Sequence, residues 1–516
     1  MPSDAQPLHV PGGPSRPRRL TPRRIALTAL LLPPLLVVLY ALAIGLRYTG
    51  SGTPAYDDPE RNFKYGSIGT ESGSGVPFWV WKALPAVFDE ETDRIGYYKY
   101  GLIFELDEEG NDLELPVGLS RRKRHGVEMV WFNCAACHTG SFRERKEAPR
   151  VVVPGMPANT LDFQGLLEFL FEAAADERFN PDRLIPAMEL VGADLDWADR
   201  FVYRHFLIPE ARERLLRLRS RLLPLMARQP RWGQGRADLF NPMRALLLDQ
   251  PMRAIVPTEV LGITDFPSLW LQGPRTAMSL HWDGNNNSLD ERVQAAALAL
   301  GATPETIDRK ALARVKTYLD DLTVPSNPKL DRVEPALVAR GRVLYMQACA
   351  ACHGSWEGTY SFQGERLGTI EPVEQVGTDP GRFQAFTEEV ASALGKLFLE
   401  SPALPFKHFR KTRGYANLPL DGLWLRAPYL HNGSVPSLRD LLLPPDQRPK
   451  RFFRGNNLLD LEEGGFLAGP CNPETRYQFF FCFDTTLPGN GNGGHLYGTD
   501  LPEEDKRALL EYLHQF

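Results

Sequence analysis

The chain has 516 residues, 43% of them hydrophobic and 24% charged, enough for two or three domains with sizeable cores. Its formal net charge is −5, and because the first 24 residues hold five Arg and one Asp, the remainder carries −9. That acidic balance argues against nucleic-acid binding and is compatible with a basic electron-transfer partner, although most acidic surfaces are simply solvated.

Residues 1–24 are rich in Pro and Arg, and Ile25 to Leu46 then runs without a charge. At about 1.5 Å per residue that run spans a hydrocarbon core of roughly 30 Å. Arg before it and only Arg47 just after it predict a cytoplasmic tail (1–24), a transmembrane anchor (25–46) and a body in the periplasm. Pro33-Pro34 would kink the helix, which membrane helices tolerate. A cleaved signal peptide is the competing reading, since Ala41-Leu42-Ala43 resembles a cleavage site. Both readings export residues 47–516.

Residues 47–125 look irregular: Gly66, Gly69, Gly73 and Gly75 precede an aromatic patch, Phe78-Trp79-Val80-Trp81. They read as an arm wrapping the domain that follows, or as ordinary loop over a satellite core. After Val127–Asn133 comes Cys134-Ala135-Ala136-Cys137-His138. Leu161–Asp176 carries a helical stripe of Leu166, Leu167, Leu170 and Phe171. Glu210–Gln229 predicts a further helix whose Arg residues form a solvated face. Ser288–Leu300 and Pro304–Leu322 predict two more, the second with Thr303 as N-cap and Pro304 at its first position. Val324-Pro325-Ser326-Asn327-Pro328 reads as a linker, dividing the body into domains at 47–323 and 329–516.

The second domain begins with a helix, Glu334–Ala348, running into Cys349-Ala350-Ala351-Cys352-His353, and the chain ends in another, Leu501–Phe516. This order resembles class I cytochromes c, in which such helices cross at a small residue; Gly341, with Tyr345 one turn on, would be that contact. The two remaining cysteines, Cys471 and Cys482, suit a disulfide in an oxidising compartment, with buried free thiols as the alternative.

Cys-x-x-Cys-His is the attachment signature of c-type haem. Two thiols add across two vinyl groups on one porphyrin edge while the His turns under the ring to reach the iron. A zinc ribbon would need a second nearby ligand pair, and a redox dithiol needs no following His. The duplicated motif therefore predicts two covalent haems, at Cys134, Cys137 and His138 and at Cys349, Cys352 and His353. Each iron also has a sixth position, which decides between electron carriage and open-site chemistry. Candidates are His125, His205, His281, His408, His431, His495, His514 and Met156. His431 stands out on a Pro- and Gly-bounded turn, Arg426 to Leu438.

The paired motifs, the His431-Asn432-Gly433-Ser434 stretch running on to Leu442, and Trp282-Asp283-Gly284 followed by Ser288-Leu289 resemble the bacterial di-haem cytochrome c peroxidase, MauG and rubber-oxygenase superfamily. The Tyr429–Leu442 wording is closer to the rubber-oxygenase branch. The resemblance implies a mainly α fold of two cytochrome-c-like haem domains with long loop-rich insertions, beside the N-terminal transmembrane helix. It implies His353 and His431 as the axial pair of the C-terminal haem, and His138 on an N-terminal haem open to H2O2 or O2. Trp282 would lie near that haem or on the route between the two, with core packing as its alternative. His281 would be a distal acid–base group. Asp283 and Asn285-Asn286-Asn287 could help bind Ca2+, against an ordinary Asx-rich turn. The expected activity is a haem-dependent oxidoreductase, peroxidase-like or oxygenase-like, with a redox partner or small oxidisable substrate. The alternative is a non-catalytic periplasmic electron-transfer cytochrome.

Overall fold

The computed structural model describes residues 22–88, 96–400, 406–475 and 479–516, so the basic tail expected over 1–24 lies outside the described residues up to residue 21. Residues 1–50 and 51–516 are two compact units. In the first, α1 (Pro22–Arg47) runs through Pro33 and Pro34. Leu31, Leu35, Leu39 and Leu42 are exposed on it, and it is long and apolar enough to cross a membrane, a property that signal sequences share.

Ser51–Phe516 does not have the mainly α architecture expected. Helix accounts for 42% of the chain and strand for 13%. Among the described residues the strands form one three-stranded and six two-stranded sheets. Nor is a pair of cytochrome-c-like domains distinguished, since the unit is continuous. Most strands are two to four residues long, too short to show an alternating pattern in the sequence. The described part of 47–125 also holds regular structure despite its glycines. Phe78–Phe88 is helical, and Phe63, Phe78, Val80, Trp81 and Leu84 are buried in the main core.

Strands β1 (Leu119–Arg124) and β2 (Val127–Phe132) pair antiparallel, with Val76–Pro77 on the other side of β2. This sheet delivers the chain into the first motif. Helix α2 (Phe163–Ala175) is capped by Asp162, which accepts from Gly165 N, and buries Leu166, Leu167, Leu170 and Phe171 against α3 (Ile208–Met226). Ser288 caps α4 (Leu289–Ala299). The next helix, α5 (Arg309–Asp321), starts later than Thr303 and Pro304 suggest: Asp308 is its cap, accepting from Ala311 N. Thr303 and Thr306 close a separate turn upstream, with Thr303 N donating to Thr306 Oγ1.

Helices α6 (Pro335–Ala348) and α7 (Glu503–Leu513) cross where expected. A Cβ at Gly341 would stand 1.9 Å from the Ala508 carbonyl oxygen, so only glycine permits the approach. Tyr345 packs beside the crossing on Tyr512 and Phe516, with ring centroids 5.2 and 4.9 Å away. Cys471 and Cys482 form a disulfide.

Candidate haem sites

The two motifs are built on different supports. In the first, Asn133 ends β2 and accepts from Ala135 N, while its Nδ2 donates to the Lys64 and Gly66 carbonyls. Gly118 lies against the turn, and a Cβ there would meet Ala136 Cα at 2.2 Å. In the second motif α6 itself delivers Cys349, whose N–H closes on the Tyr345 carbonyl. Neither cysteine pair is a disulfide. Burial pushes the Cys134 and Cys349 thiols up to about 12, the reverse of a reactive redox dithiol.

Both motif histidines have the same anchor. His138 Nδ1 lies 2.8 Å from the Pro267 carbonyl, and His353 Nδ1 lies 2.7 Å from that of Leu418. A carbonyl only accepts, so each ring carries its proton on Nδ1 and offers the Nε2 lone pair, the arrangement found for metal-bound imidazoles. Burial lowers both pKa values, His138 to about 4, so the rings are neutral and able to ligate.

A cavity of about 220 Å3 opens beside the second motif, lined by Cys349, Cys352 and His353 and walled largely by Leu, Tyr and Val side chains. His495 faces His353 across it, with ring centroids 6.2 Å apart. At roughly 2 Å per metal–imidazole bond, two rings sharing one metal would have centres about 6 Å apart. The donor set fits a c-type haem: two thiols on one edge, an imidazole on each side, and apolar walls for the macrocycle.

His431 lies on the wall of the same cavity. Its ring stacks on Tyr415 at 4.3 Å, with Nε2 3.2 Å from the phenol oxygen. Its neighbours hold the His495 loop. Asn432 Nδ2 donates to the Gly489 and Gly491 carbonyls at 3.2 and 2.9 Å. From the other side Arg448 donates to the Asn492 and Gly494 carbonyls at 2.6 and 2.9 Å. Gly433 has φ +61°, and a Cβ there would run into Arg454 and Asp265. Those two form a buried ion pair, with Arg454 Nη2 2.6 Å from Asp265 Oδ1, and Arg454 Nη1 donates to the Gly433 carbonyl. The turn that carries His431 thus secures the loop that carries His495.

Trp282 also lines the cavity, its Nε1 donating to the Asp265 carbonyl at 2.8 Å. The preceding residue, His281, is half-buried and has φ +59°. Its pKa is pushed well below the ordinary value by burial, then by the charges of Arg292 and Arg382 and by His138. His138 has Phe266 as a ring neighbour at 6.4 Å, a side chain with no ligating atom. Met156 is fully buried against Gly140, in the core of Phe142, Val153 and Trp270. His408 pairs with Glu291 at 2.8 Å.

The Asn run forms the Asx-rich turn. Asn286 Oδ1 accepts from Ser288 N, Asn286 Nδ2 donates to Glu291, and Asn287 Oδ1 accepts from Arg410. Asp283 accepts from Arg382 at 3.3 Å, which sets a cation beside the only carboxylate of the run. Among the described residues no group of three or more His, Cys, Asp or Glu side chains is placed to hold a metal ion.

Comparison with known proteins bears on this region. Residues 414–453, which include Tyr415, Arg426, His431, Asn432 and Arg448, match the family model of RoxA-like, cytochrome c-like domains. "Uncharacterized protein y4iJ" of Sinorhizobium fredii is 27% identical over 552 residues, spanning 84% of this chain and 86% of that one. "Uncharacterized protein y4iM" of the same organism is 34% identical over 224 residues, spanning 40% of this chain and 50% of that one. The matched domain supports a place among the c-type cytochromes and implies covalently bound c-type haem.

Proposed function

We propose that the protein is an exported di-haem c-type oxidoreductase, anchored by α1, with H2O2 or O2 reacting at the N-terminal haem and the C-terminal haem handling electrons. The observation that carries this reading is the difference between the two histidines. His353 has His495 facing it at 6.2 Å, whereas among the described residues no second imidazole makes such a ring contact with His138. A haem supplies reversible one-electron chemistry and a binding position for peroxide or O2; the protein sets its ligation and access.

In this reading Cys134 and Cys137, and Cys349 and Cys352, hold the two groups as thioethers. His138 and His353 are proximal ligands, oriented by the Pro267 and Leu418 carbonyls. His495, the imidazole across the cavity from His353, would hold the same iron in place of His431, to which the resemblance assigned that role. His431 and Tyr415 then form the supporting wall. His281, kept neutral by burial, has a lone pair free to hold a proton near the first site. Trp282 carries the contact toward the second cavity.

Optical and EPR spectra of the purified holoprotein test this. One low-spin and one high-spin iron, the latter taking up CO or cyanide, is the expected result. Two low-spin irons with no ligand uptake would favour a plain electron carrier and sink the catalytic reading. Peroxide turnover with a reduced donor, set against O2 consumption with an oxidisable substrate, separates a peroxidase from an oxygenase.

A further inference from the structure

An apolar cavity of about 50 Å3 lies in the main core, apart from the one beside the second motif. Helix α2 gives Phe163, Leu167 and Phe171 to its wall, α3 gives Leu222 and Leu225, and Trp131 of β2 closes one side. Half-buried Leu218, Leu246, Ala299 and Leu300 also line it, so the side nearest solvent is apolar as well. The polar groups in the wall are engaged elsewhere. Ser74 Oγ donates to the Gly301 carbonyl at 3.2 Å, and Trp131 Nε1 to the Leu300 carbonyl at 2.9 Å. Trp232 Nε1 donates to Gln229 Oε1 at 2.8 Å. Asp238 Oδ1 accepts from the Phe240 and Asn241 N–H groups, and its Oδ2 from the Gln229 and Asn241 side chains. A buried water makes about two to four hydrogen bonds, and none of the wall's buried side-chain polar atoms is without a partner. The space is therefore suited to an apolar occupant, and its volume decides which. An apolar cavity of about 150 Å3 holds a benzene ring. One about a third of that size takes a diatomic molecule or a xenon atom and excludes a ring or a chain.

The cavity goes with the first motif rather than the second. Cys134 and Cys137 share one buried cluster with Phe163, Leu222 and Trp232, whereas Ala350 of the second motif packs in another. Phe132 packs edge-on against Trp131 and Phe163, with ring centroids 5.1 and 5.2 Å away. Asn133 and Cys134 follow it directly in the chain. A single ring thus rests on two residues of the cavity wall and leads the backbone into the turn that carries the thiols. We propose that this cavity is a docking site for O2, held beside the N-terminal haem with Phe132 between the two. O2 is apolar and gains by leaving water for such a space. H2O2 would leave its donors and acceptors unpaired there, which costs free energy. The proposal rests on the reading of the N-terminal haem as the oxygen-reacting one, and it narrows the oxidant at that haem from H2O2 or O2 to O2.

Xenon is the probe, because it enters small apolar cavities and takes no part in the chemistry. Crystals of the holoprotein under xenon pressure should show an atom against Trp131, Phe163 and Leu222, with no ordered water there beforehand. Leu222→Phe should fill the space from α3 and Ala299→Leu from the end of α4, so each should remove the xenon. Both should also raise the KM for O2 several-fold, and by more than the KM for H2O2. Two variants on different helices keep the test open if one of them does not fold. Water in the cavity, or no xenon in it, would overturn the site. Xenon lost from both variants with the KM for O2 unmoved would overturn its role in holding O2 for the haem. A holoprotein whose irons are both low-spin and take up no CO would instead remove the oxygen-reacting haem on which that role depends, whatever the xenon shows.

Discussion

His353 and His495 face each other with ring centroids 6.2 Å apart, yet they are held by different means. His353 Nδ1 is fixed by the Leu418 carbonyl, whereas His495 Nδ1 is buried without a partner. His495 is positioned through its backbone, and its N–H donates to the Val376 carbonyl at 2.8 Å. Replacing His495 by Ala should convert the C-terminal haem from low-spin to high-spin and open it to CO. His431→Ala should leave that haem low-spin, because the lost ring packs on Tyr415. EPR and CO-difference spectra check both. Conversion by His431→Ala alone would reverse the assignment.

The loop carrying His495 depends on Asn432, whose amide spans the Gly489 and Gly491 carbonyls. Each such bond contributes about 0.5–1.5 kcal/mol net. Asn432→Ala should therefore cost roughly 1–3 kcal/mol of stability and leave the C-terminal haem a mixture of low- and high-spin forms. Denaturant unfolding and EPR spin counting measure the two effects. A fully low-spin C-terminal haem in this variant would show that the loop stands without Asn432.

What could be read in the sequence follows from which constraints are local. Cys-x-x-Cys-His is legible because two bonds and one ligand must reach a single porphyrin edge, which fixes the spacing. Gly341 and Tyr345 are legible because a helix crossing needs a missing Cβ beside a large ring. His495 was only one candidate among several, since the groups that aim it, Asn432 and Arg448, come from distant turns. The burial of Arg275 and Arg292 was invisible for a related reason. Arg in a sequence predicts solvent, and only the folded chain shows these two removed from it. The strands were missed because a pair such as Phe453 and Cys482 is set by tertiary context rather than by alternation.

The ion pair of Asp265 and Arg454 predicts a pH dependence. Burial pushes the Asp265 carboxyl up to about 6 from an ordinary 3.8, against the opposing charges of Arg454 and Arg236. The folded protein thus binds this proton more tightly than the unfolded chain. Its contribution to stability is full below about pH 3.8 and is lost as the pH rises through about 6. Asp265→Asn should remove that component of the pH slope. Unfolding midpoints between pH 4 and 7, compared for the two proteins, check the slope; parallel curves would contradict the raised pKa.

The crossing of α6 and α7 gives a prediction in which two effects oppose each other. Gly341→Ala improves helix propensity by about 1 kcal/mol. The added methyl, however, would stand 1.9 Å from the Ala508 carbonyl oxygen and 2.8 Å from Tyr512 Cβ, so the helices must separate. Overpacking of this kind costs about 1–3 kcal/mol. The methyl meets backbone rather than the end of a flexible side chain, so the steric cost should prevail and the denaturant midpoint should fall. Gly341→Val should lower it further. Tyr345 packs beside the crossing, and Cys349 closes on the Tyr345 carbonyl, so a separation would pass directly to the second motif. The C-terminal haem spectrum should then broaden in step with the loss of stability. A raised midpoint in Gly341→Ala would mean that the two helices do not approach as closely as described.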